Sequence, residues 1–219
     1  MNYSVAVEYL TLPADVKQVR NTRTGEVWAD IAPFSVAEAS ARALVEASWP
    51  IGQRISRLLV SPGGAAVGGN EDEIEQSFRV WSGSGKETLD VGMRVLVEIC
   101  RDRDCELLVW PRVGSLVSDI PGLLSVSRKH EDVGIFLEPA AMLPAGEQFR
   151  LADFVDRFAE VLPVPSVCAV FFDAESANEV GGLAAFAPLV RLASSLEKPI
   201  VLRGISPENA AALFGLGPG

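Results

Sequence analysis

Four ionisable side chains, Glu98, Glu138, Asp173 and Arg203, each end a short apolar run: "MRVLVEI", "VGIFLEP", "VCAVFFDA" and "PIVLRG". In folds that alternate strands and helices, chemistry gathers at the C-terminal ends of the strands. Side chains at four such ends would therefore share one rim. Two carboxyl groups there can divide acid and base roles when burial drives their pKa values apart. Phe136, Phe171, Phe172 and Trp110 could supply the apolar surroundings. A guanidinium stays protonated and grips carboxylates through two parallel bonds. Arg203 could thus clamp an anion or a carbonyl, or neutralise Glu98 or Glu138. Arg112 is a second cation of that kind, and Glu8 and Asp30 are further rim candidates.

Other chemistries lack their parts. The single histidine, His130, falls in "SRKHEDVG", where a helix ends and a strand has yet to begin. That is the wrong end of the fold for catalysis, and the expected place is the surface. Without a second histidine there is no Ser-His-Asp triad, Cys-His pair or His-rich metal centre. Three cysteines, Cys100, Cys105 and Cys168, form no C-x-x-C pair and suggest neither a disulfide framework nor a zinc site. "SPGGAAVGG" and "GSGKET" lack the spacing of a phosphate loop, and Glu71, Asp72 and Glu73 beside the first would repel phosphate. A net charge of −10, with scattered Lys and Arg, argues against a nucleic-acid partner. No apolar run reaches the ~18 residues of a membrane span, and no signal peptide opens the chain. A soluble, cytoplasmic protein with no membrane partner is the expectation.

The elements that must position these residues alternate along the chain. Strands are expected at Tyr3 to Leu10, Glu26 to Ile31 and "ISRLLVSPGG", then at the four runs above. Helices are expected from Ser35, from the acidic "NEDEIEQSFRVW", and over "SDIPGLLSVSRKH", "RLADFVDRFAEVL", "GGLAAFAPLVRLASSLE" and "SPENAAALF". Such alternation means parallel strands with crossover helices. "ELLVW" (Glu106 to Trp110) lies about six residues beyond the supposed strand at Glu98, too close for a parallel crossover of about a dozen. It is read as an extended segment over the barrel mouth. The fold class is α/β, one (β/α) TIM-type barrel domain over residues 1–219, shortened in its N-terminal half.

From about Ile55 onward, "RLLVSPGG", "GMRVLVEI", "VGSLVSDIPGLLSVSRKHEDVGIFLEPAAM" and "VCAVFFDA" follow an order that resembles the xylose isomerase-like barrels, the sugar phosphate isomerases and epimerases. The likeness covers roughly three quarters of the chain. The first 54 residues offer two strands where that family has three. The resemblance implies a divalent metal, Mg²⁺ or Mn²⁺, held by Glu, Asp, His and Glu at successive strand ends and polarising a sugar carbonyl. By position Glu98 and Glu138 match the first two ligands. The expected histidine falls on Ala141, and another on Val170 or Phe171. Asp173 is kept, and the last glutamate is replaced by Arg203. The resemblance thus points to a degenerate member in which a metal is disfavoured.

The tail "KPIVLRGISPENAAAL" is similar to the corresponding segment of phosphoribosylanthranilate isomerases, and "FFDAESANEVGG" loosely to the strand and loop before it. That likeness implies a phosphate held near Gly182 and by Gly204, Ile205 and Ser206, at the N-terminus of a short helix. Ser206 and Pro207 also make an ordinary helix start. Three functions follow as expectations. One is proton transfer on a small sugar or sugar phosphate by Glu98 and Glu138, with Asp173 and Arg203 at the site. The others are a non-catalytic binding or scaffold barrel and a metal-independent phosphosugar isomerase. A shortened barrel also suggests a homodimer.

Overall fold

The computed structural model describes residues 3–12, 16–21, 27–34, 57–62, 83–144 and 146–214, with the backbone course alone for the first three segments. Eight strands form a closed barrel in chain order: β1 (Tyr3–Leu12), β2 (Val16–Asn21), β3 (Val27–Phe34), β4 (Arg57–Pro62), β5 (Glu106–Val109), β6 (Val133–Leu137), β7 (Val167–Asp173) and β8 (Ile200–Arg203). From β3 through β8 each strand runs parallel to the next, and β8 closes in parallel on β1. Only β2 runs against its neighbours. Its links, residues 13–15 and 22–26, are too short for a parallel crossover, so the chain can only turn back on itself. A three-stranded meander thus replaces the first crossover units. This is the form the shortened half takes, with three strands before residue 55 rather than two.

The helices are α1 (Gly83–Asp102), α2 (Ile120–Lys129), α3 (Leu151–Val161), α4 (Ala174–Glu179), α5 (Ala187–Ser195) and α6 (Pro207–Phe214). The helices expected from Ser35 and over "NEDEIEQSFRVW" lie outside the described residues. The α2 helix starts as its sequence indicates. Asp119 accepts a bond of 2.7 Å from the Gly122 N–H, with Pro121 in the first turn, where no donor is needed.

One expectation fails here. "MRVLVEI" is not a strand but part of the twenty-residue α1. Leu89, Met93, Leu96, Ile99 and Cys100 are buried at helical spacing, while Glu98 is exposed. With α1 as the crossover, "ELLVW" is no cover over the mouth. Leu107 to Val109 belong to β5, paired in parallel with β4 and β6.

Strand alternation divides the core in two. Leu58, Val60, Leu107, Val109, Ile135, Val170, Phe172 and Leu202 pack outward with the helices. Leu59, Leu108, Phe136, Ala169, Phe171 and Val201 fill the barrel, joined by Trp110 just beyond β5. Phe136 and Phe171 stack at 5.3 Å, and Trp110 meets both rings edge-on at 5.5 and 5.7 Å. Among the described residues, the interior of β4–β8 is a packed apolar layer.

His130 caps the C-terminus of α2 at the end of the barrel away from the rim. Its imidazole is not a surface group. It is enclosed, 8% exposed, and lies 3.1 Å from Asp90 on α1.

Candidate functional site at the barrel mouth

Because side chains along a strand alternate, the inward positions of β6, β7 and β8 run from the aromatic plug straight to the rim. Two residues past Phe136 comes Glu138, two past Phe171 comes Asp173, and two past Val201 comes Arg203. Trp110 stands in the same relation to Leu108. The rim is thus the next layer above the plug, built from apolar strands that happen to end in polar groups.

Glu138 and Asp173 are each only 2% exposed. Their carboxyl groups are nonetheless pushed in opposite directions. Burial against the plug raises Glu138 to a pKa of about 7, opposed by the nearby Arg112 guanidinium and reinforced by the negative Asp173. The indole Nε1–H of Trp110 donates to Glu138 Oε2 at 2.8 Å. Asp173 is held below the usual carboxylate range: burial works against this, but hydrogen bonds from Arg203 and its charge prevail.

The Asp173–Arg203 pair is a two-point fork. Arg203 Nε donates to Oδ1 at 2.8 Å, and a terminal guanidinium nitrogen donates to Oδ2. Register makes this pair, since Asp173 and Arg203 are directly opposite on β7 and β8. Asp173 also caps α4, accepting from the Glu175 N–H and the Ser176 hydroxyl. Gly204, at φ +73°, turns the chain after Arg203 so tightly that a Cβ there would sit 3.0 Å from that of Ala174. The two loops leaving β7 and β8 are thereby packed together behind the ion pair.

Arg112 completes the site. Its guanidinium carbon lies over the Trp110 ring, 3.5 Å from the centroid, and its buried Nε has no hydrogen-bond partner. The loop carrying it is fixed by Ser115, whose hydroxyl bridges the carbonyls of Arg112 and Val117 at 2.8 Å.

Several expected assignments change. Glu98 is absent from this site, since it sits on the solvent face of α1, grouped with Arg94, Arg128 and His130 toward the other end of the barrel. It can neither pair with Glu138 in acid–base work nor share a metal with it. Arg203 neutralises Asp173, not Glu98 or Glu138. Gly182 does not offer its N–H to a phosphate, because that group donates to the Ala177 carbonyl at 2.7 Å and closes α4. Ser206 caps α6 by accepting from the Asn209 N–H at 3.2 Å, and Ile205 packs against the core. By backbone register Asp30 lies opposite Leu59, below the rim.

Sequence offers Trp110 as apolar surroundings and Arg112 as a second cation for the carboxylates, whereas the Ser176 bond to Asp173 and the seating of Arg112 on Trp110 come from the fold alone. The available signal was "VWPRVG", an apolar run ending in an aromatic and a cation. Reading Glu106 to Trp110 as an extended segment over the mouth, rather than as β5, hides how that strand positions the two side chains.

No family model matches the chain, and no curated protein does. Among solved structures, the chain is similar to an AP endonuclease of family 2 from Brucella melitensis, at TM-score 0.53 and 12% identity over 85% of this chain and 72% of that one. It is also similar to the 3-keto-D-glucoside 4-epimerase YcjR from E. coli, at TM-score 0.43 and 11% identity over 83% and 84%. At 12% identity the first likeness is one of fold alone, a TIM-type α/β barrel, here with an antiparallel strand in its N-terminal half.

Proposed function

We propose that the barrel mouth binds a small sugar-like carbonyl compound and that Glu138 moves a proton on it, an isomerase- or epimerase-type step with no resident metal. One observation carries this reading: Glu138 is a buried carboxyl group poised at about 7, beside a guanidinium that has a donor to spare. A carboxyl group with that pKa can both accept and return a proton near neutrality. The Arg112 charge would stabilise an oxygen that becomes negative when a neighbouring C–H proton is removed. Arg203 is the wall of the site rather than its clamp, because its fork is spent on Asp173.

The donor set supports the metal-free form. Glu138 accepts from Trp110, Asp173 is gripped by Arg203, and the positions where the resemblance implies histidines are Ala141, Val170 and Phe171. A divalent ion would have to displace a guanidinium to reach Asp173.

Solvent exchange tests the reading. Small ketoses, aldoses and their phosphates are incubated with the protein in D2O, and deuterium beside the carbonyl is followed by NMR. Exchange should occur with at least one sugar and fall about 100-fold or more in Glu138→Gln. Equal exchange in the variant removes the assignment. The second reading, a non-catalytic binding barrel, is favoured by the near-complete enclosure of Glu138 and Asp173. It predicts no exchange with any sugar.

A further inference from the structure

The end of α1 carries a pattern the mouth does not use. The Cys105 N–H donates to the Cys100 carbonyl at 2.9 Å, the Asp104 N–H donates to the Arg101 carbonyl, and Asp104 takes a left-handed φ of +54°. These three features define a Schellman cap, with Cys100 as the third residue from the helix end and Cys105 as the second beyond its cap. That motif brings the side chains of those two positions together, ordinarily as an apolar contact. Here both are cysteines, and each thiol perturbs the titration of the other. Both line a cavity of about 620 Å³ at the N-terminal ends of β5, β6 and β7. Cys100 is fully buried, whereas Cys105 is partly open.

We propose that Cys100 and Cys105 form a redox-active dithiol, which a small disulfide entering this cavity converts to an intramolecular disulfide. The 6→1 turn folds the chain back to the short span such a bond requires, ~4.4–6.8 Å between Cα atoms. Cys105 is the attacking group. The neighbouring Cys100 thiol lowers its pKa against the effect of burial, with help from Arg103, while Cys105 and burial raise that of Cys100. The Cys105 thiolate attacks one sulfur of the small disulfide and expels a thiolate, leaving a mixed disulfide. Cys100 then loses its proton and attacks the Cys105 sulfur, expelling the second thiol. Two protein thiols and one disulfide become one protein disulfide and two small thiols. Cys168 lines the same cavity but stands apart from the pair, its Sγ hydrogen directed at the Ser166 carbonyl at 3.3 Å and its pKa raised by burial.

The test uses the native chain and oxidised glutathione at pH 8, followed by alkylation under denaturing conditions and intact mass. Alkylated cysteines should fall from three to one and return to three after reduction. Trypsin cuts after Arg101 and Arg103, so the fragments bearing Cys100 and Cys105 should stay joined until reduced. Cys168→Ser should go from two alkylated cysteines to none. Three free thiols after oxidation, a lasting glutathione adduct on Cys105, or a bridge to Cys168 would each overturn the proposal.

Discussion

Glu138 shows how a carboxyl group's neighbours decide what it is for. The aromatic plug raises its pKa from 4.5 to about 7, so between these values the folded chain holds a proton that the unfolded chain has released. Stability therefore declines as pH rises across that window and levels off above it, by about 3 kcal/mol in all. Glu138→Gln keeps the shape and an oxygen acceptor for Trp110 but cannot ionise. Denaturant melts should show the variant more stable than the parent at pH 8, and nearly equal at pH 4. A constant difference at both would mean the carboxyl group titrates normally. Glu138, Asp173 and Arg203 were legible as rim residues because each ends a β-branched or aromatic run at an inward position. Arg112 is legible only as a second cation for the carboxylates, since it comes after the strand has ended, and only the folded loop lays it on Trp110.

At the scale of elements, one side-chain fork holds the rim end of the β7–β8 ladder, and its partners are unequal. The Asp173 side chain is 3% exposed and that of Arg203 29%. Arg203→Met leaves a carboxylate buried without its counter-charge and should cost about 3–5 kcal/mol. Asp173→Asn keeps a helix-capping oxygen and leaves a guanidinium that can turn to water, so the cost should be smaller, about 1–3 kcal/mol. Equal losses in urea melts would show that the charge asymmetry has no energetic weight. The same scale holds the largest misreading of the sequence. "VLVEI" has strand-like composition, yet Leu89, Met93, Leu96 and Cys100 repeat at helical spacing over a longer window. Periodicity outranks β-branched content here, because the helix buries its Leu, Met, Ile and Cys stripe and leaves Val91 exposed and Val95 and Val97 only partly buried. Reading α1 as a strand moves Glu98 to the rim and pushes β5 out of the barrel. The later half escapes this error because its strands are short, lie beside proline or glycine, and are separated by amphipathic helices.

Across the whole molecule, the plug of Leu59, Leu108, Phe136, Ala169, Phe171 and Val201 separates two polar ends. Above it lie Glu138, Arg112 and the Asp173–Arg203 pair, and below it the His130–Asp90 contact and the cysteine-lined cavity. The lower end of the plug is tight, since a Cβ on Gly134 would come within 2.5 Å of both Cys168 and Leu108. Stability and the state of Glu138 are therefore set by the same aromatic rings. Phe136→Ala should cost about 3–5 kcal/mol through the cavity it leaves. It should also admit water beneath Glu138, relieve the burial that raises its pKa, and flatten the fall of stability between pH 4.5 and 7. The loss in Phe136→Ala is then larger at pH 4 than at pH 8, because the parent protein alone carries the full burden of the buried carboxylate at high pH. Denaturant melts at the two pH values check this. A loss independent of pH would show that the plug supports the barrel without governing the chemistry of its mouth.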